Sequence, residues 1–318
     1  MLREVWPFVE RKRAEGHRVV LARLIGRDGP GARPIGATMA IAGDGEWTGS
    51  VAGGCVEGAV LSEAREVLAG DPARITEVSV GDELLPWEPG PACRSTLRIL
   101  ITEAPGGAVA AALREDKPAF VRVGLRYPYV WAVGETTPLA HDEHGEELAA
   151  RPKVIVIGAT DLAAAVAALA VPLGRRVIVV DPRPEYAHRE RVPLADEVVR
   201  AWPGAYLAAH PPAAGDAVLA VTHDPRIDDS ALIAALAGSA GHVAVLGSRA
   251  THAERLLRLA GTPGLDRLAG PAGLDLGAGS TAETALSLLA ELVAATNGRS
   301  GGRLCETEGP ITKSGVKV

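Results

Sequence analysis

Cys55 is the residue of this sequence whose type and surroundings most directly suggest chemistry. It follows Gly53 and Gly54 and begins a stretch with the apolar spacing of a helix, CVEGAVLSEAREVLAG. Adjacent glycines permit positive φ angles or a close backbone approach, and the positive end of a helix dipole lowers the pKa of a thiol toward the reactive thiolate. Glu57 in the first turn either favours the helix or holds a proton near the site. The pattern predicts a reactive thiol, with a small buried core cysteine as the alternative.

Arg33 and Cys93 are candidates for the same site. Arg33 stands in the Gly/Pro loop GPGARPIGATM, where it is suited to receive an anion, and Cys93 comes just before a strand in EPGPACRSTLRILI. The three cysteines of the chain are widely spaced, which matches neither a disulfide framework nor a zinc site. We therefore expect reduced thiols. Cys55, Cys93 and Arg33 are all predicted to stand in loops, so their side chains are able to come together in one site. For Cys93 the alternative is a buried core position.

A degenerate nucleotide-binding motif begins the second half of the chain. Gly158 follows the strand VIVIG, and Asp181 ends the next strand, where an acidic residue commonly binds a ribose hydroxyl. Thr160 and Ala163 occupy the second and third glycine positions, and the threonine side chain obstructs the approach of phosphate. A dinucleotide such as NAD(P) is therefore disfavoured in the usual pose. The alternative is a tight turn in which Asp161 serves the start of the helix.

Polar residues also follow the later strands, at the edge where open parallel sheets bind ligands. An arginine and free amides at a helix start would suit an anionic ligand. The alternatives are that His223 is a turn residue bonded to its neighbour, and that Asp275 only fixes the turn in which it stands. The candidates are Thr222, His223 and Asp224 in VTHDP, Ser248 and Arg249 in LGSRATHAERL, and Asp275 in GLDLGAGSTAE.

The predicted helices and strands that position these residues follow one pattern before residue 150 and another after it. Before it, an amphipathic helix, three strands, a helix and further strands near 75–80, 97–102, 120–123 and 129–133 predict a smaller α+β domain, with a helix at 107–115. After it, buried Val/Ile/Ala strands alternate with helices, which predicts a Rossmann-like doubly wound parallel sheet of the α/β class. We expect an N-terminal domain at 1–140, a linker at 141–152, a Rossmann-like domain at 153–298 and an extended tail at 299–318.

Composition limits the classes of partner. The formal net charge is -6 without a basic stripe, which argues against nucleic-acid binding. No apolar run reaches the length of a membrane span, and the N-terminal stretch has the pattern of an amphipathic helix rather than of a signal peptide. We expect a cytoplasmic protein whose partners are small molecules or other proteins.

Several motifs taken together resemble the XdhC/CoxI family of xanthine dehydrogenase accessory proteins. They are GARPIGATMAI, GEWTGSVAGGCVEGAV, GPAC, the degenerate Rossmann segment, VTHDPRID, VLGSRATHAERLLRL and GLDLGAGSTAETALSLLAEL. The resemblance implies a chaperone-like protein, rather than a turnover enzyme, that binds and protects the molybdenum cofactor. It also implies sulfuration of the cofactor together with a cysteine desulfurase, and delivery to an apo molybdenum hydroxylase such as xanthine dehydrogenase or carbon monoxide dehydrogenase. Members are often dimeric.

The resemblance also assigns residues. The family's Gly-Gly-Cys-x-Glu segment falls on Gly53, Gly54, Cys55 and Glu57, its second cysteine on Cys93, and its strand end on Thr222, His223 and Asp224. Many members have Cys-Gly-Gly at 93–95 and Gly-x-Gly-His at 158–161, where this chain has CRS and GATD. Molybdenum is thiophilic, so Cys55 would be a ligand to the metal of the cofactor or a transient carrier of sulfur. An NAD(P)-dependent oxidoreductase and a non-catalytic regulatory homologue are the alternatives.

Overall fold

The computed structural model describes residues 1–29, 31, 33–54, 56–80, 95–135 and 139–308. The chain forms two compact units, one of residues Met1–Ala150 and one that begins at Arg151. Among the helices of the described ranges, none combines the length and the apolar character that crossing a membrane requires.

The first unit contains a five-stranded and a three-stranded sheet, each antiparallel throughout. The strand orders are β3-β2-β1-β5-β4 and β7-β6-β8. Its elements are α1 Leu2–Ala14, β1 Val19–Asp28, β2 Thr38–Ala42, β3 Trp47–Gly49, α2 Glu57–Ala69, β4 Arg74–Val80, β5 Ser95–Glu103, α3 Gly107–Arg114, β6 Ala119–Gly124, β7 Trp131–Gly134 and β8 Glu143–Leu148.

Helices cover the five-stranded sheet on both faces, which explains why five of the first six residues of β1 are apolar. Val20, Ala22 and Leu24 pack with the buried face of α2, whereas Val19 and Leu21 pack with α1. Alternate residues of a strand point to opposite faces, so a strand between two helical layers needs apolar residues in both sets. The strand at the centre of the sheet is therefore buried along most of its length.

Gly49 ends β3 at a point where a side chain has no room. Its φ is +84°, and a Cβ there would lie 2.2 Å from the carbonyl oxygen of Thr38 and 2.9 Å from Val5 of α1. Only glycine fits such a close approach of two backbones at positive φ. The chain therefore leaves the sheet here and enters the loop that leads to α2.

The segment 141–152, predicted as a linker, contains the strand β8. Six residue pairs join β8 to β6, in the register Val121↔Glu146. The sequence EHGEEL lacks the apolar alternation that predicts a strand. Only Leu148 of it is buried, and the other positions are charged residues, a histidine and a glycine. Glu146 faces the fully buried Arg23 of β1 at 2.6 Å, so the acidic residue neutralises a cation inside the unit.

His144 of β8 makes the stability of this unit sensitive to acid. Burial, and secondarily the charge of Arg23, lower the pKa of its imidazole to about 4. The unfolded chain therefore binds the proton first, near pH 6.5, and stability falls as the pH drops from there toward 4. We expect this loss to reach about 3 kcal/mol and to be absent in His144→Gln. Urea unfolding at pH 7 and pH 4.5 measures it, with the exposed His141→Gln as control. Equal pH dependence of His144→Gln and wild type would contradict the assignment.

The second unit contains a six-stranded, wholly parallel sheet in the order β11-β10-β9-β12-β13-β14. Its elements are β9 Lys153–Ile157, α4 Asp161–Ala170, β10 Arg176–Asp181, β11 Glu197–Arg200, α5 Pro203–Ala209, β12 Ala217–Ala220, α6 Pro225–Ala237, β13 His242–Val245, α7 Arg249–Arg258, β14 Leu268–Ala269 and α8 Thr281–Thr296. This is the strand order of a Rossmann domain, and it confirms the predicted fold class.

Helices on both faces of this sheet account for its continuous Val/Ile/Ala strands. Val154 and Val156 of β9 pack with α4 and α8, whereas Ile155 and Ile157 pack with α6 on the other face. Four of the helices, α4, α6, α7 and α8, begin at polar caps, and Ser280 and Glu283 form a capping box at the start of α8. In the predicted tail, the described residues include one 3₁₀ turn, Leu304–Glu306.

Candidate functional site

The loop between β3 and α2 in the first unit is organised by the carboxylate of Glu57. One oxygen accepts from the Ser50 hydroxyl at 2.6 Å and from the amides of Ala52 and Gly53, both at 3.1 Å. The other oxygen accepts from the amides of Gly54 at 2.8 Å and of Val56 at 3.2 Å. Five donors therefore converge on one side chain, which is 7% exposed.

These hydrogen bonds determine the charge of Glu57. Burial by itself raises the pKa, but the bonds from the Ser50 hydroxyl and from the backbone amides outweigh it and lower the pKa to about 2. At neutral pH the side chain is therefore a carboxylate that takes up no proton. Of the two roles that the sequence left open, proton holder and support of the helix start, the described contacts favour a supporting one, which extends to the whole loop.

Two glycines let the loop bend around this carboxylate. Gly53 has φ 88° and Gly54 has φ 117°, so both adopt the left-handed conformations that other residues rarely reach. A Cβ at Gly54 would meet no atom of the described residues within 4 Å. The two glycines therefore allow the backbone shape of this loop.

The other predicted residues of this unit are described only in part. Cys55 and Cys93 both lie outside the described residues. Arg33 is described: its guanidinium lies 3.4 Å from the carboxylate of Glu4 on α1, and its carbonyl oxygen accepts from Arg27 at 2.8 Å. The contacts of Arg33 therefore tie its loop to α1 and to the end of β1.

In the second unit, the sheet brings the predicted residues of several strand ends to one edge. Gly158 follows β9, Asp181 ends β10, and His223 follows β12, and these three strands are neighbours. Ser248 and Arg249, at the start of α7, come after β13, and Asp275 lies in the exposed loop beyond β14. All six strands are parallel, so their carboxyl ends share this edge, and the strand order reverses between β9 and β12.

Thr222 joins the two strands at the reversal point. Its methyl group packs on Gly158, where φ is +109° and a Cβ would lie 2.5 Å from the threonine Cγ2. Its hydroxyl donates to Asp228 of α6 at 2.7 Å and accepts from the amide of Asp224 at 3.0 Å. The next residue, His223, is exposed and has φ 61°, an uncommon value for a residue with a side chain. These contacts hold the turn that presents the imidazole at the sheet edge.

The residues predicted to bind a nucleotide are engaged with the protein itself. Asp181 is fully buried and accepts from the amide of Ala159 at 2.8 Å and from the guanidinium of Arg183 at 2.7 and 2.9 Å. Burial opposes ionisation of Asp181, but the bonds from Arg183 outweigh it and lower the pKa. Thr160 caps α4 through the amide of Ala163. Asp161 lies in the first turn of α4, as the alternative interpretation expected, and its carboxylate pairs with Arg191 at 3.1 Å.

Asp224, Ser248 and Arg249 stand at two helix starts of this edge. Asp224 caps α6 and binds the guanidinium of Arg226, which lowers the pKa of its carboxyl to about 2. Ser248 caps α7 through the amide of Thr251 at 3.1 Å, and Arg249 is exposed beside it. The capped start of α7 and an exposed cation give this corner a positive potential suited to an anionic group.

Asp228 and Arg255 are polar residues of this edge that the sequence analysis missed. They are 1% and 2% exposed, and within the described part of the chain Asp228 Oδ2 and Arg255 Nε and Nη1 have no hydrogen-bond partner. Burial raises the pKa of Asp228, partly offset by the Thr222 hydroxyl and by the charge of Arg255. The available signal was the position of Asp228 next to Ile227 and three residues before Ala231, on the apolar face of α6.

Comparisons with known proteins agree with both halves of the chain. Residues 12–79 match the model of the XdhC and CoxI family, and residues 154–292 match that of the XdhC Rossmann domain. The molybdenum cofactor insertion chaperone PaoD of Escherichia coli is 28% identical over 81% of this chain and 76% of that protein. A Bacillus subtilis protein named as a probable xanthine dehydrogenase subunit is 24% identical over 86% of this chain and 92% of that protein.

A solved structure has the same fold. The crystal structure described as a xanthine dehydrogenase from Bacillus halodurans superimposes with a TM-score of 0.74 at 22% identity, over 95% of this chain and 97% of that one. The two family models cover different segments in the expected order, and together they span more than half of the sequence. The chain therefore belongs to the XdhC and CoxI family.

Proposed function

We propose that this protein is a maturation factor that binds the molybdenum cofactor, protects it, supports its sulfuration and inserts it into a molybdenum hydroxylase of the xanthine dehydrogenase or carbon monoxide dehydrogenase type. One observation carries the proposal. Both sequence neighbours of Cys55, Gly54 and Val56, donate their amides to the buried carboxylate of Glu57. The chain on either side of the thiol is thus held in one shape, as a thiophilic metal centre requires of its ligand.

In this proposal Cys55 is the residue that contacts the molybdenum centre or carries sulfur to it, and Glu57 positions the loop. Gly53 and Gly54 leave the thiol accessible, while Arg33 and Cys93 complete the site. A carboxylate with a pKa of about 2 remains charged at every physiological pH, so the loop keeps its shape whether or not the cargo is present. Glu57 is then a positioning residue and takes no part in proton transfer.

For the sheet edge of the second unit, taken by itself, we propose binding of an anionic ligand. Ser248 and Arg249 supply a capped helix start and an exposed cation, and His223 supplies an exposed imidazole. Asp224 and Asp275 lie at the same edge, and the carboxylate of Asp224 is paired with Arg226. The nucleotide hypothesis is weaker, because Asp181 is buried in its contacts with Arg183 and Thr160 caps α4. The geometry thus favours an accessory protein over an NAD(P)-dependent oxidoreductase.

The proposed partners follow from this role. They are an apo molybdenum hydroxylase as client, a cysteine desulfurase as sulfur donor, and a second copy of the chain in a homodimer, all in the cytoplasm. The name of the Escherichia coli relative, a molybdenum cofactor insertion chaperone, supports the client class.

Anaerobic copurification tests the proposal. We expect molybdenum and the fluorescent oxidised pterin to copurify with the wild type and with Cys305→Ala, whose cysteine is exposed in the C-terminal segment. Cys55→Ala is expected to lose at least about 90% of both, since one strong metal ligand is worth several kcal/mol and each 1.4 kcal/mol is tenfold in affinity. Equal loading of the three proteins would refute the role of Cys55. Saturable NAD(P) binding without cofactor loading would favour the oxidoreductase instead.

A further inference from the structure

Arg255 of α7 is a buried cation with unused hydrogen-bond donors. Its side chain is 2% exposed, and Nη2 of its guanidinium donates to the carbonyl oxygen of Leu246 at 3.3 Å. Nε and Nη1 have no hydrogen-bond partner among the described residues. Buried polar groups are nearly always hydrogen-bonded, so unused donors in the interior indicate a partner that the chain itself does not supply.

The charge of Arg255 is not compensated by a contact either. Asp228 and Asp229 act on it electrostatically, but in the described part of the chain neither forms an ion pair with it. One oxygen of Asp228 accepts from Thr222, and Asp229 pairs with Arg258 at 2.9 Å. Burial lowers the pKa of the Arg255 guanidinium, yet an arginine stays protonated in proteins. Buried charges of this kind are costly, and they are concentrated at binding and catalytic sites.

The guanidinium lies beside the loop that leads from β13 into α7. Side chains of a helix lean toward its N-terminus, which brings Arg255 back to Leu246 and Gly247. A Cβ on Gly247 would lie 3.5 Å from Arg255 Nη1, so any side chain at residue 247 would pack on the guanidinium. With glycine in this position, only backbone stands on that side of the buried charge.

The start of α7 supplies further donors at the same loop. Ser248 accepts the amide of Thr251, and the first hydrogen bond along the helix runs from the amide of His252 to the carbonyl oxygen of Ser248 at 2.9 Å. The amides of Arg249 and Ala250 come before that bond, so they have no acceptor within the helix. The exposed side chain of Arg249 stands beside them. Unpaired amides, the positive end of the helix dipole and two guanidinium groups together favour an anion.

We infer that a phosphate monoester binds at the start of α7, held by the amides of Arg249 and Ala250 and by the guanidinium groups of Arg249 and Arg255. The inference rests on the anionic ligand proposed for this sheet edge, and it adds the chemical class of that ligand and a buried residue that binds it. A phosphate monoester has a charge of about −1.5 to −2 at neutral pH, which matches two arginines, and three terminal oxygens that accept from amides and guanidinium groups together. A carboxylate has one charge and two oxygens.

Isothermal titration calorimetry of the whole protein with glycerol 3-phosphate tests the proposal. We expect Arg255→Met to weaken binding at least about 30-fold, because the variant removes charge-assisted hydrogen bonds. Arg255→Lys keeps the charge and should recover part of the affinity. The matched control is Arg258→Met, which removes a cation from the other end of the same helix, where Arg258 pairs with Asp229. This variant should change the affinity less than about twofold, since exposed charges that far apart are screened.

A second measurement uses the wild type alone, so it does not depend on the folding of a variant. In nuclear magnetic resonance spectra, the amide signals of Arg249 and Ala250 should shift on addition of glycerol 3-phosphate. Acetate should bind at least about tenfold more weakly. Adenosine monophosphate distinguishes two sources of the phosphate: equal affinity for both esters indicates that the phosphate group alone is recognised, and tighter binding of adenosine monophosphate indicates a nucleotide. Either result agrees with a phosphate monoester site.

Three results would overturn the inference. Binding that Arg255→Met leaves unchanged would show that the unused donors of Arg255 serve a buried water molecule instead. Equal binding of acetate would refute the phosphate class, and shifts confined to amides away from α7 would refute the location. In these cases an anion still binds the protein. If the wild type binds none of the three anions, the anionic ligand proposed for this sheet edge is refuted as well. Cofactor loading of Cys55→Ala tests the role of the first unit independently.

Discussion

Glu57→Gln is expected to lower the free energy of unfolding by about 3 kcal/mol and to abolish cofactor loading. The variant keeps the size of the side chain but replaces one acceptor oxygen by an NH₂ group that faces the amides of Gly54 and Val56. Hydrogen bonds to a buried charge are worth about 1.5–3 kcal/mol, and unpaired buried donors cost about 1–3 kcal/mol. Urea unfolding gives the first quantity, and pterin fluorescence of the copurified protein gives the second.

The matched control is Glu66→Gln, on the exposed side of the same helix, where Glu66 pairs with Arg74 at the surface. This variant should change stability by less than about 0.5 kcal/mol. Glu57 binds its proton near pH 2 in the folded chain and near 4.5 in the unfolded one, so its stabilising contribution is complete above pH 4.5 and is lost toward pH 2. The difference between wild type and Glu57→Gln should shrink across that range. A difference that does not change with pH would contradict the assigned charge.

Gly158→Ala is expected to lower the free energy of unfolding by about 4 kcal/mol. The φ of +109° is strained for any residue with a side chain, at about 1–3 kcal/mol. The new Cβ would also lie 2.5 Å from the methyl carbon of Thr222, and overpacking of this kind costs about 1–3 kcal/mol. Thermal or urea unfolding measures the sum.

A double-mutant cycle separates the two costs. Thr222→Ser removes the methyl group that meets position 158 and keeps the hydroxyl that donates to Asp228. In this background Gly158→Ala should cost about 1–2 kcal/mol less than in the wild type, because only the backbone strain remains. If the two substitutions prove additive, Gly158 is required for its φ alone, and the contact with Thr222 plays no part.

The sequence by itself determined the architecture of the second unit. Runs such as VIVIG and RVIVVD between amphipathic helices predict buried parallel strands, and the capping box at Ser280 and Glu283 predicts the start of α8. Both signals are local: hydrophobic periodicity and capping depend on residues within a few positions of each other, so one sequence is enough to read them. The strand ends that carry Gly158, Asp181 and His223 follow from the same alternation.

Only the tertiary structure decided how the candidate residues are used. Asp181 has the position of a ribose ligand, yet its carboxylate is buried against Arg183 and the amide of Ala159. The strand β8 could not be predicted from its polar sequence. It is stabilised by its pairing with β6 and by the contact of Glu146 with Arg23, which is 123 positions away, and such distant contacts do not affect local hydrophobic periodicity. The packing of distant segments determines which group each buried polar group contacts. The roles of residues at a sheet edge or in a loop therefore depend on contacts that the sequence alone does not predict.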